Sequence, residues 1–378
     1  MPDHVPDQLD PAGRDLRAYT DELRPDHPVV RNDRGQWVLL RHGDVVEAAR
    51  DAQRFSSAVS AHLQVPNGLD GDEHRAVREA TDHFFSPGEL TGLEPVLRTI
   101  ARELVAGVGP GESVDAVELG ARFAVRAQSA WLGWPAELEA PLLDWVAENH
   151  AATRSRDRAR TAAVAAAFDE IIASVVEPRR ALGDEAPDDV TTRLMHQDVA
   201  GRVFSDDEIT SILRNWTGGD LGSIALCAGV VVAFLAAEER HVEHLRAADP
   251  AELESAIDEI LRIDNPFLSN RRRTVCPVRV GGADIPAGDV VTLHWTSANR
   301  DESVVGDPDR FDPEGNAGHN LVYGTGPHVC PGRPLATMEL RVLTEELLAR
   351  GGAITWAGEP ERETAPLGGY RRVPVVLG

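Results

Sequence analysis

Fourteen consecutive apolar residues, Ile224 to Ala237, occupy the middle of the chain. They continue a pattern that opens at Ser205-Asp-Asp-Glu208, a serine followed three residues later by a glutamate, which marks a capping box at a helix start. The run is shorter than the ~20 residues a membrane span requires. It therefore predicts a buried core helix and no membrane association. A continuous helix from Asp206 to Ala237 would reach about 48 Å at 1.5 Å per residue, enough to cross a whole domain, so the remaining chain must wrap around it. Gly218, Gly219 and Gly222 interrupt the pattern. Each costs ~1 kcal/mol relative to alanine inside a helix, so their clustering predicts a kink or a close approach to another group.

The flanking sequence is mostly helical. From Gly71 to about Gly183 it is rich in Ala, Leu, Arg and Glu, broken at Pro87, Gly107 to Gly111 and Pro135. Helices are predicted over Asp44–Asp51, with Asp44 as the cap, over Ala251–Arg262, and over Pro334–Arg350, ended by Gly351-Gly352. Strands are predicted at Gln36–Leu40, bounded by Asp33-Arg-Gly35, at Val275–Val280 and Val290–Trp295, and in the last 25 residues. Residues 57–71 read as a loop, 300–320 as an Asp/Pro/Gly-rich meander, and 1 to about 30 as a polar N-terminal segment. No repeat or linker divides the chain, so one domain over 1–378 is expected, mainly α with a smaller β part.

Charge narrows the function. The chain carries 38 basic and 62 acidic residues, a net −24. Nucleic-acid binding would need a strong local basic patch against that field, so it is not expected. Cys227, Cys276 and Cys330 are far apart and form no CxxC, so a reducing cytoplasm is expected rather than a disulfide framework. The acidic, Pro-rich start has neither the basic nor the apolar region of a signal peptide.

The strongest local signal is Leu321-Val-Tyr-Gly-Thr-Gly-Pro-His-Val-Cys-Pro-Gly-Arg-Pro-Leu335. A strand-like start enters a Gly/Pro-rich loop, and Cys330 sits just before a helix. The positive helix end and unpaired backbone N–H groups predict a lowered thiol pKa. Gly324, Gly326 and Gly332 permit close backbone approach to a flat partner. Taken alone, a free cysteine is more often a small buried apolar group. The glycine spacing is not a dinucleotide fingerprint, since the third glycine and the βαβ unit are missing.

Tyr323-Gly-Thr-Gly-Pro-His328-Val-Cys330-Pro-Gly332 resembles the haem-binding loop of bacterial cytochromes P-450, Phe-x-x-Gly-x-His-x-Cys-x-Gly, with Tyr323 in place of Phe. Further motifs follow the family's order: Glu259-Ile-Leu-Arg262 is similar to its Glu-x-x-Arg, Asp307-Pro-Asp-Arg310-Phe to its meander motif, and His74-Arg-Ala-Val-Arg78 to its propionate-binding helix. Arg272 matches its propionate-binding arginine of the β region. The resemblance implies a single-domain P-450 fold with the long helix at its centre, and heme b (iron protoporphyrin IX) with Cys330 as axial ligand. It implies that Tyr323, Gly324 and Gly332 line the cofactor and that His74, Arg78, Arg272 and His328 bind it, the cations meeting its propionates. Glu259, Arg262 and Arg310 are implied to form a buried structural cluster.

One departure affects the chemistry. The family's central helix usually carries Ala/Gly-Gly-x-Asp/Glu-Thr, whose acid and alcohol deliver protons to dioxygen. This chain has Thr217-Gly-Gly-Asp-Leu-Gly-Ser223. Asp220 keeps the acid if Gly218 takes the glycine's place, but the threonine is gone and Ser223 is the nearest hydroxyl. Asp220 and Ser223, at i and i+3, are the catalytic candidates. By family position, the 57–71 loop, Leu268, Ser269, Asn270, Leu367 and Gly368 line the substrate pocket, with Gly218, Gly219 and Gly222 leaving room above the haem. The implied activity is a monooxygenase oxidising a small organic molecule of secondary metabolism, using dioxygen and electrons from a ferredoxin-type donor. An atypical P-450 that couples or closes rings, or uses peroxide, is the alternative. His241-Val-Glu-His244 and Arg154 to Arg160 read as solvated helix faces.

Overall fold

A computed structural model describes residues 15–32 and 34–378. Asp33 and most of the expected N-terminal polar segment lie outside the described residues. Asp206–Ala237 is one unbroken helix of 32 residues. Its capping box forms as the sequence predicts: Glu208 N donates to Ser205 Oγ, and Ser205 N donates to Glu208 Oε2. Among the described residues it is the one helix long and apolar enough to span a bilayer. Its apolar residues are instead buried by other helices, Leu213, Leu221, Ala225 and Leu235 completely.

Small residues set that packing. The helix Ala116–Leu132 lies along the central helix, and a Cβ on Gly120 would stand 2.6 Å from Ala228 Cβ. A Cβ on Gly229 would stand 2.6 Å from Val117 Cγ2. The helices Glu139–Ser155 and Arg158–Leu182 cross at the glycine-rich stretch, where Trp145 and Phe168 stack at 4.1 Å. Pro250–Ile263 and Arg333–Ala349 also pack against the central helix.

The β part holds a five-stranded sheet, ordered Val29–Arg31, Trp37–Leu39, Val290–His294, Ser269–Thr274, Phe55–Ser56. Only the Trp37–Leu39 and Val290–His294 pair is parallel. The strand expected at 275–280 is displaced. Ser269–Thr274 forms the ladder, and Val278–Val280 pairs in a separate hairpin with Ala283–Ile285. Pro277, which has no N–H to donate, lies in the break between them. Asp44 is also not a cap, because the helix begins at His42 and Arg41 takes the cap position without a side-chain bond. The 300–320 meander contains two short helices, Glu302–Val305 and Pro313–Asn316.

The structural ion cluster is real but differently composed. Arg262 is fully buried and pairs with Glu259 at 2.7 Å. Glu259 also accepts from Asn316 Nδ2 and Asp312 N. Arg310 is not the third member. Its side chain is 71% exposed and faces Asp312 at 3.7 Å, and only its backbone oxygen accepts from Arg262. The neighbouring buried guanidinium is Arg300, which donates to Ile263 O and to Asp21 and Asp309. A guanidinium on the exposed meander is already solvated, so nothing drives Arg310 inward.

Candidate functional site

The cysteine loop is fastened at both ends. Cys330 N donates to Tyr323 O at 2.9 Å, and the Tyr323 hydroxyl meets Thr337 Oγ1 on the helix Arg333–Ala349. Gly324 and Gly326 adopt φ of +71° and +76°, which a larger residue could hold only with strain. A Cβ on Gly326 would also stand 2.7 Å from Ala49 O, so the loop docks directly on the helix His42–Arg50. Gly332 differs: its would-be Cβ meets only Phe85 and the Cys330 sulfur, at ordinary contact distances.

The Cys330 side chain is exposed, yet it is surrounded by protein deeply enough to be desolvated. That depth corrects the expected thiol acidity. Burial raises the Cys330 pKa, and backbone N–H groups of Gly332 and Arg333 only partly oppose it. The protein without a cation at the sulfur therefore favours the thiol.

Above the loop, cations and imidazoles converge. His74 lies on the helix Gly71–Thr81, and its ring stands 4.1 Å from that of His328. His328 Nε2 meets Ser57 Oγ at 2.9 Å and lies 3.6 Å from Asp70. Burial, and after it the nearby His74 and Arg272, depress His328 to a pKa of about 4. Arg78 donates to Pro327 O and Val329 O, and so ties the helix to the cysteine loop. Arg272 is 8% exposed and has no carboxylate within ion-pair distance among the described residues.

This donor set fits haem. The sulfur is open and the His74 Nε2 is buried without a hydrogen-bond partner. Arg272 is a desolvated cation lacking an anion, a costly arrangement unless an anion arrives. A propionate would satisfy both. Cys330 would then hold the iron, with His74, Arg78, Arg272 and His328 around the propionates.

The glycines of the central helix divide by role. Gly218 and Gly222 do not open space above the cofactor. A Cβ on Gly218 would meet Trp145 at 3.3 Å, and one on Gly222 would meet His150 Nε2 at 2.8 Å. Gly219 alone faces open space, and Ser223, one turn on, is half-buried on that side. Asp220 Oδ2 is buried without a hydrogen-bond partner, as are both carboxyl oxygens of Glu339 on the helix Arg333–Ala349, and burial raises both carboxyls above their ordinary range.

The expected pocket residues separate as well. Leu268 packs with Leu16 and Ala365 in a small apolar cluster of its own, away from the central helix, so it is a packing residue. Ser269 and Asn270 are exposed at the start of their strand, and Asn270 Oδ1 accepts from Trp295 Nε1. Leu367 bridges to Phe267, and a Cβ on Gly368 would stand 2.7 Å from Asn265 O, a close crossing of two chains. Arg154 is no solvated surface residue. It pairs at 2.6 Å with Glu363, whose side chain is 1% exposed, and so joins the helix Glu139–Ser155 to the C-terminal segment. Arg160 does pair on the surface, with Glu148.

Sequence reasoning missed Glu339 and His150, and placed Ser57 and Asp70 only within the 57–71 pocket loop, without their contacts to His328. Glu339 carried a readable signal, an acid at helical spacing among Leu335, Leu340, Val342 and Leu343.

Comparison with known proteins agrees with this geometry. Residues 239–350 match the family model described as Cytochrome P450. The chain is 32% identical to erythromycin C-12 hydroxylase of Saccharopolyspora erythraea, covering 100% of this chain and 97% of the relative. It is 29% identical to cyclomarin C epoxidase of Salinispora arenicola, covering 92% of each. Among solved structures, a mutant of P450 EryK in complex with erythromycin B superposes with a TM-score of 0.87 at 29% identity, over 96% of each chain.

Proposed function

The chain belongs to the cytochrome P450 family of monooxygenases, and on that premise we propose that it hydroxylates or epoxidises a large secondary metabolite of the macrolide or cyclic-peptide kind. The observation that carries the reading is the exposed Cys330 sulfur in the loop of His328, whose ring meets a His74 with an orphaned nitrogen, together with a buried, unpaired Arg272. Heme b, when bound, supplies dioxygen activation and oxygen transfer. This chain's residues do the rest. Cys330 binds the metal, and the Gly332 and Arg333 N–H groups that reach its sulfur stabilise the thiolate. His74, Arg78, Arg272 and His328 orient the cofactor by its anionic edge. Trp145 and His150, pressed against the central helix, exclude water from one side of the pocket. Ser223 and Asp220 hold protons beside the open face at Gly219.

Electrons come from a separate ferredoxin-type donor in the cytoplasm. The substrate class follows the substrates in the relatives' names, erythromycin and cyclomarin C. The test is the haem-loaded protein supplied with NADPH, a surrogate ferredoxin and its reductase, after a spectral-shift screen of macrolides and cyclic peptides. An oxygenated product carrying one atom from labelled dioxygen is expected. In parallel, the ferrous–CO complex should show the red-shifted band of thiolate ligation, and Cys330→Ala should lose it. An unchanged band in that variant would rule out Cys330 as the ligand. The missing threonine favours the peroxide-driven or ring-closing alternative, which would show as product formed with peroxide alone or without oxygen incorporation.

A further inference from the structure

His150 carries two ring nitrogens to the edge of the open face of the central helix and bonds neither. It lies on Glu139–Ser155 and is half-buried, and a Cβ on Gly222 would stand 2.8 Å from its Nε2. Gly222 comes three residues after Gly219, which faces open space, and just before the half-buried Ser223. Residues three apart are neighbours on a helix surface, so the imidazole borders the opening at Gly219. A side chain at 222 would occupy the place of the ring, and the glycine leaves it free.

The groups around His150 are engaged. Trp145, on the same helix, covers Gly218 and donates its Nε1 hydrogen to Val164 O at 3.0 Å. Arg154, one turn after His150, is held by Glu363, and Glu148 by Arg160. His150 itself makes no hydrogen bond to any described residue, and neither nitrogen is sealed inside the protein. Burial, and after it the Arg154 charge, lowers its pKa to about 4. At neutral pH the ring is uncharged, with one N–H donor and one acceptor lone pair. Withdrawing a polar group from water without a partner costs free energy, so this ring favours a ligand that supplies one.

We propose that His150 anchors the substrate by a hydrogen bond to an uncharged oxygen, a hydroxyl or a carbonyl, and so selects which part of the molecule lies over the open face at Gly219. The inference rests on the monooxygenase reading and deepens it: the substrate presents a neutral polar group at this edge rather than a carboxylate. The Arg154 guanidinium beside the ring is already paired with Glu363, so a carboxylate here would meet no free cation.

Two measurements on the haem-loaded protein test this. The first needs no substrate. Diethyl pyrocarbonate acylates neutral, accessible imidazoles, and peptide mass spectrometry locates the product. At neutral pH His150 should react, and the buried His294 should not. An unreactive His150 overturns the open ring. The second is spectral-shift titration with erythromycin B and with cyclomarin C. His150→Phe keeps an aromatic ring but removes both nitrogens, so the dissociation constant should rise about tenfold, the worth of one hydrogen bond. His150→Gln supplies a donor and an acceptor and should recover most of the affinity. Gly222→Ala pushes the ring away from the helix and should weaken binding in the same direction. Wild-type affinity in His150→Phe overturns the anchor. The ferrous–CO band reports whether each variant is folded, and if His150→Phe is not, Gly222→Ala carries the titration. Bound compound should also shield His150 from the reagent, and undiminished reaction in the bound protein overturns the contact. If neither compound shifts the spectrum, the macrolide and cyclic-peptide reading fails, and the reagent decides the inference by itself. Failure of the monooxygenase reading looks different again: no oxygenated product, with binding and shielding as stated.

Discussion

Glu259→Ala would strand the Arg262 guanidinium, which is fully buried and has Glu259 as its carboxylate partner. Breaking a buried pair from one side costs ~3–5 kcal/mol, a large part of the ~5–15 kcal/mol by which a protein is stable. Asn316 and Asp312 N would lose their acceptor as well. Arg310→Ala removes only an exposed, loosely held pair, worth about 0–1 kcal/mol. Thermal unfolding and haem content should therefore separate the two: Glu259→Ala poorly folded and haem-poor, Arg310→Ala close to wild type. Equal damage from both would return the Arg310 side chain to the cluster. At this scale, legibility followed distance along the chain. Cys330, Tyr323 and Gly324 form a local pattern and could be read directly, and His74 and Arg78 share one helical turn. The unsatisfied buried carboxyls of Asp220 and Glu339 depend on two helices brought together by tertiary packing, and a string of residues does not display that burial.

Helices were readable because their apolar periodicity and caps are written within each segment. The capping box at Ser205 and Glu208 located the central helix to the residue. The strand Ser269–Thr274 was hidden because its sequence, SNRRRT, is almost wholly polar and only Arg272 and Thr274 turn inward. Burial there serves a desolvated cation rather than an apolar core, so hydropathy gives no alternation to find. How closely the helices pack is equally invisible in sequence, and it yields a prediction. Gly120→Ala would put a Cβ 2.6 Å from Ala228 Cβ and 3.2 Å from Ala225 Cα. Neither neighbour is a flexible side-chain end, so the helix Ala116–Leu132 must move away from the central helix. Overpacking costs ~1–3 kcal/mol, against a gain of at most ~1 kcal/mol in helix propensity. The variant should melt at lower temperature by circular dichroism. Gly219→Ala meets nothing within 4 Å and should be neutral or slightly stabilising. If Gly120→Ala matches it, the two helices are not in contact at that point.

Over the whole molecule, the net charge of −24 opposes any acidic electron donor, yet docking is governed by the local field where the partner approaches. Arg75 lies on the histidine helix, one turn before Arg78, which grips the cysteine loop, and Arg333 follows that loop directly. Their side chains are 65% and 56% exposed, although each already touches an acid, Asp72 and Asp258. The Arg75 pair is exposed on both sides and therefore weak, and the Arg333 guanidinium, though held by the mostly buried Asp258, still presents its charge at the surface. The sign of the salt dependence decides which field wins. If the total charge dominates, added salt screens repulsion and reduction of the wild-type protein by an acidic ferredoxin speeds up. If the arginine face dominates, added salt slows it. We expect slowing between 0.01 M and 0.15 M salt, where the screening length falls from about 30 Å to about 8 Å. Arg75→Glu with Arg333→Glu should reduce the low-salt rate by roughly tenfold or more, as loss of electrostatic steering does. It should also reverse the salt dependence, leaving the ferrous–CO spectrum unchanged because neither residue touches the cofactor. A low-salt rate equal to wild type would place the donor on another face. A lost spectrum would mean that the substitutions had damaged the cysteine loop itself.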